Sequence, residues 1–245
     1  MSKSRFHLKA LALCGMVVGL MMAFGSVSAQ AEPEAHWWIV NLEGKLVELD
    51  ATLGAELEKN DGSLLTKISG VSVQFLCTAQ TLIGGILTKP GSSKKGAKVK
   101  YSGCTTKLNG TESKPCVPKN AGTEEGVIVT KGVHFLLILH LLKETGLTDH
   151  RILVLPDEGE TFATIEMGKE CSIGTKVPVI GPHLVLKDCE NLLLVHLVTH
   201  LLEEDKELTE LWTISKTEEH KATLDGSVLV FLTGEHKGLK WSGEF

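Results

Sequence analysis

Runs of five to eight residues rich in Val, Ile, Leu and Thr recur along the chain, cut apart by clusters of Gly, Pro, Asn and Asp. WWIVNL (37–42), KLVEL (45–49), GVSVQFLC (70–77), GGILT (84–88), AKVKYSGC (97–104) and GVIVT (126–130) are of this kind. So are RILVLP (151–156), TFATIEM (161–167), KVPVIG (176–181), HLVLKDC (183–189), LWTIS (211–215) and SVLVFLTG (227–234). Branched side chains in runs of that length make strands, because they pack on a pleated surface and crowd a helix. Apolar residues alternate at Val71, Val73 and Phe75 and again at Val99 and Tyr101. Turn signals at this spacing, without strand–helix alternation, predict an all-β fold: an antiparallel β-sandwich or barrel of about ten or more short strands.

Two further segments test that expectation. HFLLILHLLKETG (134–146) is apolar on every side, so its period does not separate a strand from a buried helix. Its strand-rich surroundings decide for a strand, and likewise for 192–202. DATLGAELEKNDGSLLTKI (50–68) carries helix formers around Leu53 and Leu57, while Gly54 and the NDG at 60–62 limit it to a turn or two of helix.

The beginning of the chain reads as an export signal. Lys3, Arg5 and Lys9 precede an apolar run from Ala10 to Phe24, and Ala29 and Ala31 offer a small-residue cleavage site. Residues 1–31 are therefore set apart, leaving one secreted β-rich domain over 32–245, long enough to bury its own core. A weak echo of strand, Cys, spacer, strand and Cys between 72–110 and 164–195 points to two related β halves, about 32–150 and 151–245. No later segment is uniformly apolar over the roughly 20 residues of a membrane helix, so no span is expected after cleavage. Loss of Lys3, Arg5 and Lys9 moves the formal charge from −5 to −8. An acidic chain whose nearest basic stretch is the turn-like SSKKGAKVK (92–100) is a poor partner for nucleic acid. A secreted or periplasmic location, with an extracellular or envelope partner of unknown identity, is the expectation; unpaired edge strands add the prospect of self-association.

Five cysteines follow the signal: Cys77, Cys104, Cys116, Cys171 and Cys189. Oxidising surroundings favour bridges. The short loop from Cys104 to Cys116 and the hairpin-like stretch from Cys171 to Cys189 suggest the pairs Cys104–Cys116 and Cys171–Cys189, with Cys77 free; Cys77–Cys104 is the main rival. Only a two-to-four residue spacing would suggest a zinc ribbon, and it does not occur.

HLVTH places His196 and His200 four apart, on one face of a helix or of a strand. Glu203 and Glu204 follow, and His134 and His140 lie on another apolar run. A zinc-dependent hydrolase built on His196, His200 and Glu203 or Glu204 is thus the enzymatic alternative. Position 197 is Leu, however, where a zinc protease carries its glutamate base. Structural histidines on a partly exposed face, opposite Leu197 and Leu201, are the simpler expectation, with no cofactor. No Gly-x-Ser-x-Gly elbow, EF-hand loop or P-loop occurs, and DEGE (157–160) and EEDKELTE (203–210) fit solvated turns. Trp38 and Trp212 alternate with apolar neighbours as core residues do, which leaves Trp37 and Trp241 as candidates for exposed rings. Asn109-Gly-Thr is a glycosylation sequon where the producing cell glycosylates.

Taken together, AHWWIVN, VQFLCTA, YSGCTTKLNGT, CVPKNAGTEEGVIVT, PDEGETFATIE, LWTIS and GEHKGLKWSG resemble a family of uncharacterised exported bacterial proteins. The resemblance spans nearly all of the chain after residue 31. It implies a secreted, β-rich, single-domain protein and carries over no catalytic or ligand-binding residue. A non-enzymatic binding or structural module is the expected role.

Overall fold

Residues 50–68, expected to hold a turn or two of helix, form two strands in the computed structural model of the protein: β2 (Ala51–Leu57) and β3 (Gly62–Ile68). Helix propensities differ by only tenths of a kcal/mol per residue, and the long-range pairing of β2 outweighs them. Ala51, Leu53 and Ala55 turn inward on alternate positions. A Cβ at Gly54 would lie 2.7 Å from the Phe231 ring, so glycine here permits close strand packing rather than a helix break. The structure describes residues 35–47, 50–57, 62–141, 145–182, 184–200, 211–215 and 218–244. Residues 35–245 make one compact unit.

The chain runs through one pattern twice, moving between a closed barrel and a separate eight-stranded sheet. In the first pass β2 enters the barrel, and β3 and β4 (Val71–Cys77) enter the sheet. β6 (Ile86–Thr88) and β7 (Ser92–Ser93) return to the barrel, β9 (Thr105–Leu108) and β10 (Thr111–Glu112) go to the sheet, and β12 (Val133–Leu141) comes back. The second pass repeats the sequence of moves. β13 (Thr148–Pro156) is in the barrel, β14 (Thr161–Glu166) and β15 (Lys176–Ile180) in the sheet, β16 (Leu184–Lys187) and β17 (Val195–His200) in the barrel. β18 (Leu211–Ser215) and β19 (Glu218–Asp225) then join the sheet, and β20 (Ser227–Thr233) closes in the barrel. Barrel order is β12-β13-β16-β17-β20-β2-β6-β7, and sheet order is β10-β9-β4-β3-β19-β18-β15-β14. Each pass thus contributes one contiguous block of strands to each sheet. The echo seen in the sequence does not follow this repetition, because it sets β4, third in its pass, beside β14, second in its own.

Between these moves the first pass adds β5 (Ala79–Ile83), β8 (Lys98–Ser102) and β11 (Ile128–Val129), a three-stranded sheet in the order β11-β8-β5. The chain ends add a two-stranded ribbon, β1 (His36–Val40) with β21 (Lys240–Glu244). Tight turns carry the hairpins: Ser69-Gly70 joins β3 to β4 and Asn109-Gly110 joins β9 to β10, all four residues at positive φ. That is the backbone a two-residue hairpin needs to match strand twist. The 134–146 run is strand up to Leu141, and 195–200 is strand as well. Among the described residues no helix is long and apolar enough to cross a membrane.

The expected disulfides are replaced by two others. Cys77 pairs with Cys104, Cys116 pairs with Cys171, and Cys189 is the free, buried thiol, so neither Cys104–Cys116 nor Cys171–Cys189 forms. Sequence nearness misled because Cys104 follows the strand that leads into β9, beside the end of β4. Cys116 and Cys171 lie across the one gap in the eight-stranded sheet, between β10 and β14. The same gap is spanned by Lys119 and Glu166, whose backbones exchange hydrogen bonds of 2.9 and 2.7 Å. Asn120 Nδ2 donates to the Thr164 carbonyl and Lys131 N to that of Phe162, both at 2.7 Å. The outer edge of β14 is therefore occupied, and a closed barrel has no edge, which removes two of the surfaces through which strands could self-associate.

Candidate functional site

The histidine motif faces the opposite way from the sequence expectation. In β17, His196 and Val198 point inward and are fully buried, while Val195 and Leu197 are exposed. His196 packs on Trp241, ring centroids 4.2 Å apart. Its Nε2–H donates to the Trp241 carbonyl at 2.6 Å, and Nδ1 lies 3.3 Å from the Asp188 carbonyl. Both nitrogens are thus turned to backbone oxygens, and His196 serves as a strut beneath the terminal ribbon. The backbone of His200 ends β17 opposite Leu186, while Glu203 and Glu204 lie outside the described residues. Among the described residues no group of three His, Cys, Asp or Glu side chains is placed to hold a metal ion. His134 is engaged elsewhere, its Nδ1 2.9 Å from Asp157, whose other oxygen accepts from the Gly96 backbone at 2.6 Å.

Nor is there a thiol nucleophile among the described residues. Cys77 is consumed in a disulfide, and burial, assisted by Glu190, pushes the Cys189 thiol up to about 12. Such a group stays protonated and inert.

What the fold does build is an apolar cavity in two chambers. Inside the barrel, the inward residues of facing walls leave space between them: Leu53 and Ala55 of β2 with Val228 and Val230 of the neighbouring β20 on one side, Ile152 and Val154 of β13 on the other. That space measures about 70 Å³ as the volume open to the centre of a water-sized sphere. A second chamber of the same size lies between the eight-stranded sheet and the three-stranded one, walled by Leu64, Phe75, Ala163, Ile165, Val179 and Leu224. Tyr101, Thr130, Phe162 and Leu184 belong to both walls, so the chambers adjoin at β8. Each offers several times the roughly 10–15 Å³ that one water needs, yet water also needs two to four polar partners, and these walls supply few.

Comparison with family models, curated proteins and solved structures gave no match. Function has to be argued from the site itself.

The polar groups of the cavity are few and uncharged: Gln80, Tyr101 and Thr130, the two tryptophan N–H groups of the barrel chamber and, in the second chamber, the buried Ser63. Among the described residues, no Lys, Arg, His, Asp or Glu lines either chamber. Gln80 of β5 and Tyr101 of β8 are cross-strand neighbours in register, both on the cavity side. Gln80 is only 9% exposed, and neither its amide nor the Tyr101 hydroxyl has a hydrogen-bond partner among the described residues. Thr130 Oγ1 accepts from the Val99 backbone at 2.9 Å. Burial pushes the Tyr101 phenol up to about 12, so it remains a donor. At the far side, Trp37 and Trp241 of the ribbon line the barrel chamber in an edge-to-face pair with centroids 6.1 Å apart. Trp37 Nε1–H donates to the Ser92 carbonyl at 2.7 Å, whereas the buried Trp241 Nε1–H is unpartnered.

This reverses the tryptophan expectation. Trp37 and Trp241 are buried and Trp38 is 40% exposed, because ribbon parity puts Trp37 and Ile39 on the inner face. Sequence reasoning passed over Gln80 altogether. In AQTLI, Gln80 is buried and Ile83 is 47% exposed, the inverse of what residue type suggests. Its one available signal was parity with Leu82, legible only once Tyr101 fixes the register.

Proposed function

We propose that this protein is an exported β-barrel binding module that holds an apolar small molecule in its two-chambered interior. The observation that carries the reading is a closed barrel left unfilled, with a Gln80 amide and Tyr101 hydroxyl that have no partner among the described residues on a largely apolar wall. Eight-stranded barrels stand at the size where side chains either fill the interior or leave room for one ligand, and concave apolar sites with a few convergent polar groups are how small molecules are bound. Export is supported by the basic-then-apolar start of the sequence and by two disulfides, which persist in oxidising compartments. Hydrolysis through His196 is disfavoured, since both ring nitrogens already face carbonyls.

The test is binding of the uncharged fluorophore N-phenyl-1-naphthylamine to the purified protein. Saturable binding near one per chain is expected, with energy transfer from tryptophan because Trp37 and Trp241 line the chamber. Natively folded protein that shows no saturable binding refutes the proposal.

A further inference from the structure

We infer that the ligand is an elongated, uncharged lipid-like molecule carrying one hydrogen-bond-accepting oxygen, an alcohol, ester or ketone, seated with that oxygen against Gln80 and Tyr101 where the two chambers adjoin. The inference rests on the proposed function and deepens it to a substrate class.

Shape comes from the walls. Tyr101, Thr130, Phe162 and Leu184 are common to both chambers, so one molecule lying along β8 has apolar surroundings on either side of its polar group. A compact ligand would leave one chamber unused. Charge comes from the lining. A carboxylate or ammonium in this cavity would meet no counter-charge from the described residues, among which the tyrosine is the one ionisable acid or base on either wall. Burying an unpaired ion costs several kcal/mol, so an anionic lipid enters only as its neutral acid. Polarity comes from the donors. Tyr101 O–H and Gln80 N–H stand side by side without partners and open to the chamber, and Trp241 Nε1–H on the same wall is buried without one. A ligand oxygen accepting from Tyr101 and Gln80 pairs both, whereas a pure hydrocarbon lying over them would shut out water and leave them unpaired, which is unfavourable.

Displacement of N-phenyl-1-naphthylamine by 1-dodecanol, dodecanoate and dodecane at pH 8 tests this. Dodecanol is expected to compete at a concentration at least about a hundredfold below that of dodecanoate, because the acid must first be protonated. Lowering the pH towards 5 should then improve dodecanoate by about tenfold per unit and leave dodecanol unchanged. Tyr101→Phe and Gln80→Leu should each weaken dodecanol by about fivefold, the size of one net hydrogen bond, and leave dodecane unaffected. Tyr101→Phe keeps the ring, which guards against a mere loss of folding. Dodecanoate binding as well as dodecanol at pH 8, or dodecane binding as well as either, overturns the inference while probe binding still upholds a binding module. A protein that binds no probe at all refutes both.

Discussion

A cavity and a packed core respond to added atoms with opposite signs, and this gives the sharpest test of the interior described above. Ala55 lies on the barrel chamber wall and Ala163 on the wall of the second chamber, both nearly buried. Replacement of either by Leu adds three carbons to the interior. At about 0.8 kcal/mol per buried methylene, the gain is about 2 kcal/mol if the carbons enter space already present. In a core at native density the same substitution forces side chains off their rotamers and costs about 1–3 kcal/mol. The two cases therefore differ by about 3–5 kcal/mol, well beyond the error of a denaturant titration. For a chain of this length, 2 kcal/mol corresponds to a rise in Tm of about 4–8 °C. Urea unfolding of Ala55→Leu and Ala163→Leu should show higher midpoints at unchanged slope, and both variants should bind the fluorescent probe more weakly. A lower midpoint with either variant would refute the chamber it was designed to fill.

Three other outcomes follow from the same structure. Non-reducing peptide mapping should recover Cys77 linked to Cys104 and Cys116 linked to Cys171, with Cys189 alkylated only on unfolding; bridges spanning 27 and 55 residues should each contribute about 3–4 kcal/mol on the chain-entropy account, so Cys116→Ser/Cys171→Ser should lower the urea midpoint accordingly. His196→Leu should destabilise by about 1–3 kcal/mol, because the Trp241 carbonyl loses its buried donor, while zinc content measured by atomic emission stays the same as in wild type. The folded values of Tyr101 and Cys189 are both raised to about 12, from 10.0 and 9.0, so the native state retains protons that the unfolded chain releases and stability falls as pH rises from about 9 towards 12. Because Tyr101 is the single tyrosine, tyrosinate absorbance reports it directly, and a midpoint near 10 in the folded protein would contradict its burial.

The fold class was legible because branched apolar runs between turn residues admit little else, and the Asn109-Gly110 turn marks its hairpin even at the level of residue names. Connectivity was not. Cys104 and Cys116 are near in sequence, but bond partners are set by which strand ends meet, and β10 is followed by a segment that crosses to β14. The 50–68 segment failed for a similar reason: its helix formers express a local preference that pairing with β20 and β4 overrides. The cavity was least legible of all. Leu53, Val99, Ile152 and Val230 are the residues a filled core would use, and only their distances across the barrel distinguish an occupied interior from an empty one. The histidine spacing was real, but the face on which it falls depends on the register of β17 against β20.

The terminal ribbon has a mechanical consequence. His36 is paired with Glu244, so the two open ends of the β1–β21 ladder lie together, and a load pulling them apart breaks the pairs one after another from that end. Ladders loaded in this unzipping direction yield at low force, since the stress falls on one pair at a time instead of on all of them together. The second pair reached is Trp37 opposite Gly243, and Trp241 follows two pairs later opposite Ile39. Trp37 is tied to the barrel by its bond to the Ser92 carbonyl, and Trp241 by the His196 bond and its two-way backbone exchange with Leu193, so unzipping stops at the two rings and passes the load to the wall of the chamber they line.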